Sequence, residues 1–448
     1  MRRTMLRACL TALLIGWQSS VVFPQRTSLF GVPEPGAPLG VPIRGISYFS
    51  FKPGAFADNT QGQTLDFIRS TGANWICITT LHMYDPASNQ IRDFPTQTDF
   101  SGLATAVARA RQRGLKVLLR LTLETPQNQA IGSIPPPGDA TTFFRQFTAL
   151  LVTYATLARD QGAEMLSLGS EMGDWGGPKY RSNWLDAINA VRSVYSGPVT
   201  YGAFQALRSA ATLANLETSV SFWDQLDYLG VSIYPQLSAA ANPPRDELER
   251  NWRRNSFTGT DVIGILQQYS ALTKKPILIT DTGYVSADGA AINPGATAPA
   301  GTNQNDALQA LLYDVLFASF KIRSGSWLAG LFLWEIPATN LVNSPGATFL
   351  ATDYSFMGKP AANVVSLWYG GTPAPRVADQ VFDYLESTHR RLFAPADTPT
   401  EESNGTFTRH YASSDSALVI RGNSVSYAVG SEPLTSLGTL SSWYTAIR

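Results

Sequence analysis

From about residue 42 to residue 334, the sequence alternates short β-branched runs with longer amphipathic segments. Apolar residues in the longer segments recur every three or four positions, as in residues 308–316, which is typical of helices. Strand–helix–strand repeats build parallel sheets through right-handed crossovers, and eight of them close without edges. The pattern therefore predicts an α/β fold, a (β/α)₈ TIM barrel. Its eight predicted strands are residues 43–48, 74–80, 116–122, 165–170, 199–203, 226–234, 276–281 and 327–334.

A doubly wound open sheet is the alternative to a barrel. Such sheets usually bind a dinucleotide at a glycine-rich turn after the first strand, with GxGxxG spacing. Here the first strand reads Gly45-Ile46-Ser47-Tyr48, which lacks that spacing. The barrel is favoured, and no cofactor is implied.

The N-terminus carries Arg2, Arg3 and Arg7, followed by an apolar run at residues 8–17 that is too short to span a bilayer. Residues 18–42 are rich in Ser, Pro and Gly, which argues against a buried first helix. We predict a signal peptide at residues 1–24 and a linker at 25–41. The mature chain is then secreted or periplasmic and has no membrane span.

The composition changes after the barrel, which we place at residues 42–373. A helix is predicted at 374–393, then a linker at 394–405 and a small β-rich tail at 406–448. Within the tail, two β-branched runs at 417–420 and 425–429 flank a turn and predict a hairpin.

Composition excludes several classes of function. Lys and Arg together number 34, as do Asp and Glu, so no positive field gathers nucleic acid. Three histidines and two cysteines, without metal-ligand spacing, indicate no metal site. Cys77 lies in an apolar run and is predicted to be a buried thiol. We expect a monomer.

Two acidic residues stand where predicted apolar strands end. Glu171 follows the fourth strand and Asp281 ends the seventh. In TIM barrels the site lies at the carboxyl ends of the strands, and strands four and seven face each other. A lone acid there is usually a helix cap or a surface ion pair. Two facing acids match the needs of glycosidic bond cleavage, which requires one protonated and one ionised carboxyl group.

Aromatic and polar residues near other strand ends favour a sugar site. Sugar rings present flat faces of C–H groups to aromatic side chains, and a few polar groups orient the ligand. Packing in the core is the alternative for each of these residues. The predicted substrate-binding residues are Tyr48, His82, Arg120, Trp175, Phe204, Tyr234, Tyr284 and Trp334. The expected partner is a polysaccharide or oligosaccharide.

Eight short segments follow one another in a recognisable order: residues 45–48, 168–172, 199–203, 222–230, 279–284, 286–291, 353–356 and 358–360. Together they resemble glycoside hydrolase family 113, over about residues 42–368. The resemblance implies a retaining (β/α)₈ enzyme acting on β-1,4-mannan and manno-oligosaccharides. It also implies that Glu171 is the acid/base, that Tyr234 is the strand-six tyrosine and that Trp334 lies under the cleaved sugar.

Asp281 departs from the family pattern, which has a nucleophilic glutamate there. The missing methylene withdraws the carboxylate by about 1.5 Å. Retaining enzymes place the two carboxyls about 5 to 5.5 Å apart, and inverting ones about 6.5 to 9.5 Å. Asp281 could therefore attack the sugar, activate a water, or belong to a barrel that binds sugar without cleaving it. Glu335 follows Trp334 and is expected to face outward, because adjacent strand residues alternate.

Overall fold

The computed structural model describes residues 39–50, 54–58, 61–93, 100–127, 129–205, 220–338 and 352–371, and parts of the chain between 381 and 439. Residues 39–365 form one compact unit, and the C-terminal part forms a second. The predicted signal peptide lies outside the described residues. No described helix has the length and apolar character needed to cross a membrane.

Eight parallel strands close into a barrel, which confirms the predicted fold. In chain order the barrel strands are β1 (Ile43–Phe49), β2 (Trp75–Asp85), β4 (Lys116–Glu124), β5 (Met165–Ser170), β6 (Val199–Gln205), β7 (Leu229–Ile233), β8 (Ile277–Thr282) and β9 (Leu328–Pro337). Each barrel strand pairs with the next one, and β1 pairs with both β2 and β9, which closes the barrel. The fourth and seventh barrel strands are β5 and β8.

A short antiparallel strand, β3 (Gln90–Asp93), extends the barrel sheet beside the end of β2. The sequence pattern did not predict it. It pairs with residues 82–85, so β2 continues five residues beyond its predicted end at residue 80.

Helices cover the outside of the barrel between the strands. Several begin at a side chain that accepts a hydrogen bond from the first turn: Asp139 from the Thr142 N–H, and Asn305 from the Leu308 N–H. The helices are α1 (Gln61–Ser70), α2 (Phe100–Gln112), α3 (Ala140–Gln161), α4 (Arg181–Arg192), α5 (Arg245–Arg253), α6 (Val262–Thr273), α7 (Asp306–Ile322) and α8 (Pro360–Tyr369).

The lower barrel interior is an apolar layer, mostly from the first halves of the strands. Its members are Ile43, Trp75, Cys77, Leu118, Met165, Leu278, Ala329 and Phe332. A Cβ on Gly45 would lie 2.2 Å from the Phe332 ring, so glycine is required there. Cys77 is buried and free, as predicted. This layer closes the barrel below the site.

The C-terminal unit contains a five-stranded antiparallel sheet, in agreement with the predicted β-rich tail. The two strands of the predicted hairpin are present, because β12 pairs antiparallel with β13 and Arg421 lies opposite Ser424. Residues 401–403 form a strand, although they fall in the predicted linker. Residues 381, 382 and 385 of the predicted 374–393 helix are helical. The strands are β10 (Glu401–Ser403), β11 (Thr406–Tyr411), β12 (Ser416–Arg421), β13 (Ser424–Val429) and β14 (Thr435–Thr439).

Candidate active site

A cavity of about 270 Å³ lies at the carboxyl end of the barrel. Every barrel strand, or the residue directly after it, contributes to its wall. The cavity therefore occupies the place where barrels of this type hold their ligands. The lining residues are Phe49, Thr79, Arg120, Thr122, Leu123, Glu124, Ala130, Ser170, Glu171, Phe204, Tyr234, Asp281, Gly295, Thr297, Trp334 and Tyr354.

Glu171 follows β5 directly and has a backbone φ of 55°, in the left-handed region that residues other than glycine rarely adopt. Its N–H donates to the Gly202 carbonyl at 2.7 Å. The neighbouring chain packs closely, since a Cβ on Gly132 would lie 2.1 Å from the Glu171 carbonyl oxygen. Strained backbone held in this way is frequent at functional sites.

The Glu171 carboxyl group is half-buried and accepts a hydrogen bond from the Ser232 hydroxyl at 2.5 Å. Burial raises its pKa to about 7, and the nearby Asp281 charge adds to this effect. The Ser232 hydrogen bond and the Arg120 charge lower the pKa, but they do not cancel the effect of burial. At neutral pH this carboxyl group can therefore both hold and release a proton.

Asp281 lies opposite, in β8, with 6% of its side chain exposed. One carboxylate oxygen accepts a hydrogen bond from the Arg120 guanidinium. The other accepts a hydrogen bond from the Ser47 hydroxyl at 3.3 Å. Arg120 also donates to Thr79 Oγ1 at 3.0 Å and to the Thr280 carbonyl at 3.3 Å. The guanidinium is therefore engaged on several sides.

Burial disfavours both charges of this pair, so it moves their two pKa values in opposite directions. The pKa of Asp281 is raised overall, because burial raises it more than the Arg120 charge and the hydrogen bonds from Arg120 and Ser47 lower it. Burial also disfavours the charge of Arg120, but the pKa of Arg120 is raised overall, with Asp281 the first of the groups that raise it. Since an arginine keeps its proton in proteins, Asp281 lies beside a permanent cation, which favours its ionised form.

An Arg120→Ala variant should lose about 3 kcal/mol of unfolding free energy, because it leaves Asp281 buried without its cation. Urea unfolding measures this loss. The double variant Arg120→Met with Asp281→Asn should recover most of it, since no unpaired charge remains. A single-variant loss below about 1 kcal/mol, the size of a surface pair, would show that the ion pair is not buried as described.

Three of the predicted substrate-binding aromatics lie on the cavity wall with Arg120. Phe204 is 45% exposed, an unusual value for a large apolar side chain. The Trp334 ring lies 5.5 Å from the Phe49 ring and 5.5 Å from the Arg120 guanidinium. Tyr234 also lines the cavity.

Among the described residues, Tyr234 does not donate a hydrogen bond to the Asp281 carboxylate. Within the described residues, Asp281 accepts its side-chain hydrogen bonds from Ser47 and Arg120. Burial raises the pKa of Tyr234, and the Asp281 charge raises it further. Its hydroxyl group therefore keeps its proton.

Tyr48 and His82 do not line the cavity, although both were predicted to bind substrate. The Tyr48 hydroxyl is buried and donates to the Ala338 carbonyl at 3.0 Å. His82 is bonded to Tyr154 at 2.9 Å and lies 3.3 Å from Asp93. Burial lowers the pKa of His82 to about 4, against the opposing effect of Asp93. The imidazole is thus a neutral part of the packing.

Trp175 and Tyr284 also lie in the packed interior and away from the cavity wall. The Trp175 indole donates to the Ile134 carbonyl at 3.2 Å, and its ring lies 4.4 Å from that of Phe143. Tyr284 is 1% exposed and packs edge-on against Tyr313 at 5.5 Å. For these two residues, packing in the core is what the structure shows.

The sequence reasoning missed Ser47 and Ser232, which hold the two acids. A serine inside an apolar strand carries no obvious functional signal. The alternation of side chains does carry one: Ser232 lies two residues before Tyr234 and so shares its face of the strand. Ser47 likewise shares a face with Phe49, which lines the cavity.

A profile of Glycoside Hydrolase Family 113 matches residues 47–359. The chain belongs to glycoside hydrolase family 113. A search of curated proteins returned no match to it.

Solved structures of family 113 proteins share the barrel. One is the GH113 β-mannanase AaManA from Alicyclobacillus acidocaldarius in complex with ManMIm, with 23% identity and a TM-score of 0.60. The match covers 75% of this chain and 99% of that one. A GH113 β-1,4-mannanase has 23% identity and a TM-score of 0.59, with 74% and 99% covered. At this identity the likeness establishes the fold, and the catalytic assignments remain predictions.

Proposed function

We propose that this family 113 protein is an exported glycoside hydrolase that cleaves β-1,4-linked mannan or manno-oligosaccharides. Glu171 is the general acid/base, and Asp281 is the nucleophile or the base that activates water. One observation carries the proposal: both carboxyl groups line one cavity, from facing strands. Similarity to solved β-mannanases supports the choice of substrate. The N-terminal sequence supports export.

The environments of the two acids differ as glycoside cleavage requires. With a pKa of about 7, Glu171 is protonated in roughly half of the molecules at neutral pH and can donate to the leaving oxygen. Arg120 favours the anionic form of Asp281, which faces the positive charge that develops at the anomeric carbon. After donation, the Glu171 carboxylate can take a proton from water, and the Ser232 hydroxyl stabilises that anion.

The aromatic wall supplies a surface for the sugar. The half-buried Trp334 and the exposed Phe204 both line the cavity. Such rings pack against the C–H faces of a pyranose and exclude water, which strengthens the interactions of the two carboxyl groups.

The proposal is tested by incubating the purified full chain with mannan, mannohexaose and cellohexaose and measuring reducing ends. Mannohexaose should be cleaved faster than cellohexaose. Binding without product after long incubation would favour the alternative, a barrel that binds carbohydrate without cleaving it. Export is tested separately, by identifying the N-terminus of the protein recovered outside the cytoplasm.

A Ser232→Ala variant should shift the basic limb of the activity profile to higher pH. The hydroxyl donates to the Glu171 carboxylate and so favours the ionised form; its loss raises the pKa of Glu171 above about 7. Activity that needs protonated Glu171 then persists to higher pH. The profile of kcat/KM on mannohexaose measures the shift.

Ser232→Thr is the matched variant for this test, because it keeps a hydroxyl group on the same strand. Its basic limb should stay near that of the wild type. An unchanged profile in Ser232→Ala would show either that Glu171 does not control this limb or that Ser232 does not stabilise its anion. Direct NMR titration of the Glu171 carboxyl carbon separates these two readings.

A further inference from the structure

Glu124 is the last residue of β4, and its half-buried side chain lines the cavity. Its backbone pairs with Ala130 across the following turn, which fixes the position of the strand end. Burial raises the pKa of Glu124, and no charged neighbour contributes to this shift. The proposed hydrolysis uses Glu171 and Asp281 and gives this third carboxyl group no function.

Acidic side chains outnumber basic ones on the described cavity wall. The described lining residues include one cation, Arg120, and three acids: Glu124, Glu171 and Asp281. Arg120 is committed to Asp281 and to two oxygens of the barrel wall. The described part of this wall offers no unpaired cation to a sugar carboxylate, and Glu124 would repel one.

A carboxylate in this position needs hydrogen-bond donors. Its two oxygens can accept hydrogen bonds from two donors that lie side by side. Neighbouring hydroxyl groups of a hexose present two donors in this arrangement. Thr122 shares the strand and the wall and adds a further hydroxyl group next to the same space. Donors from the ligand would compensate for the water that the carboxylate loses when the cavity fills.

We propose that Glu124 sets the substrate class of this site: it accepts hydrogen bonds from two neighbouring hydroxyls of an uncharged hexose and rejects sugars that carry a carboxylate. The inference rests on the proposed function in that it places a saccharide in the cavity. It does not depend on bond cleavage.

The test compares β-1,4-linked mannotriose with β-1,4-linked trimannuronate, which differ at C6. Binding is measured by calorimetry in the Glu171→Gln background, so that neither ligand is consumed. The parent should bind mannotriose at least about 100-fold more tightly than trimannuronate. Adding Glu124→Ala should weaken mannotriose binding by roughly 10- to 100-fold, as expected for lost bonds to a charged group.

Glu124→Gln is the near-isosteric variant and keeps one acceptor oxygen. It should weaken mannotriose binding less than Glu124→Ala and narrow the preference over trimannuronate by about tenfold or more. Asp186→Asn removes an exposed negative charge on α4 and should change neither affinity. Thermal unfolding of all variants checks that they remain folded.

Four results would overturn the inference: unchanged mannotriose binding in Glu124→Ala, a parent that binds trimannuronate as tightly as mannotriose, an unaltered preference in Glu124→Gln, or a parent that does not bind mannotriose. The proposed function fails in a different way. If wild-type protein binds mannotriose through Glu124 but releases no product from mannohexaose, the hydrolase assignment is wrong and the selectivity stands.

Discussion

An Asp281→Asn variant should hydrolyse mannohexaose at least about 10³-fold more slowly than the wild type. An amide neither attacks the anomeric carbon nor takes a proton from water, so the loss is expected in either proposed role of Asp281. The side chain keeps its shape and can still accept a bond from Arg120. Initial rates of reducing-end release, at matched protein concentration, measure the effect.

The matched control is Asp186→Asn, which changes the same chemical group on the exposed surface of α4. Its rate should equal that of the wild type. If Asp281→Asn keeps more than a tenth of the wild-type rate while remaining folded, Asp281 is not the second catalytic acid. Unfolding measurements are needed beside the rates, because the variant leaves the Arg120 charge without its anion.

The anomer of the first product distinguishes the two roles of Asp281. Attack by Asp281 followed by water retains the β configuration, whereas direct attack by an activated water inverts it. Bonds from Arg120 and Ser47 fix the orientation of the carboxylate. A shorter acid held in this way has little freedom to reach farther, so its distance from Glu171 decides the outcome. NMR spectra recorded in the first minutes of the reaction identify the anomer that forms first.

Much of the fold could be predicted because barrel strands must be apolar and helices amphipathic. The eight predicted strands all correspond to observed ones, and the positions of Glu171 and Asp281 follow from where apolar runs stop. The rule that sites lie at carboxyl ends of strands then placed both acids near one mouth. The structure shows both on one cavity wall.

The rule that sites lie at carboxyl ends of strands was less informative where the end of a strand was predicted wrongly. The second strand was expected to stop at residue 80, but it continues to Asp85 because β3 pairs with its last residues. His82 therefore lies inside a strand and not at its end. Hairpin pairing between distant backbone groups leaves little trace in local hydrophobicity, so the sequence could not show it.

The sequence also did not show whether a side chain at a strand end points towards the barrel axis or away from it. A strand-end position does not specify whether a side chain faces the cavity or the surrounding helices. Trp175 lies in a single helical turn after β5, and that turn directs its ring to Phe143 on α3. Glu335, beside Trp334, does not line the cavity, but its carboxyl group is partly buried and lies within electrostatic reach of Asp281 and Arg120. Burial raises the pKa of Glu335 to about 8, and Asp353 raises it further.

A Glu171→Gln variant should lose mannohexaose hydrolysis by about 10³-fold or more but keep much of its rate for bond cleavage in a mannoside with a dinitrophenyl leaving group. Cleavage of a sugar–sugar bond needs a proton on the departing oxygen. A dinitrophenolate departs as a stable anion and needs none. A burst of dinitrophenolate release, followed by slow turnover, would report the first step separately from the second.

The pH dependence adds a second, independent signature of Glu171. The wild-type rate on mannohexaose should fall as pH rises through about 7, because the carboxyl group then loses the proton that it must donate. A glutamine does not titrate, so the residual rate of Glu171→Gln should lack this basic limb. If both substrates lose rate equally in Glu171→Gln, the residue acts in binding or folding and not as the acid. If the limb survives the substitution, another group controls it, and Glu335, with its pKa of about 8, is then the first residue to replace.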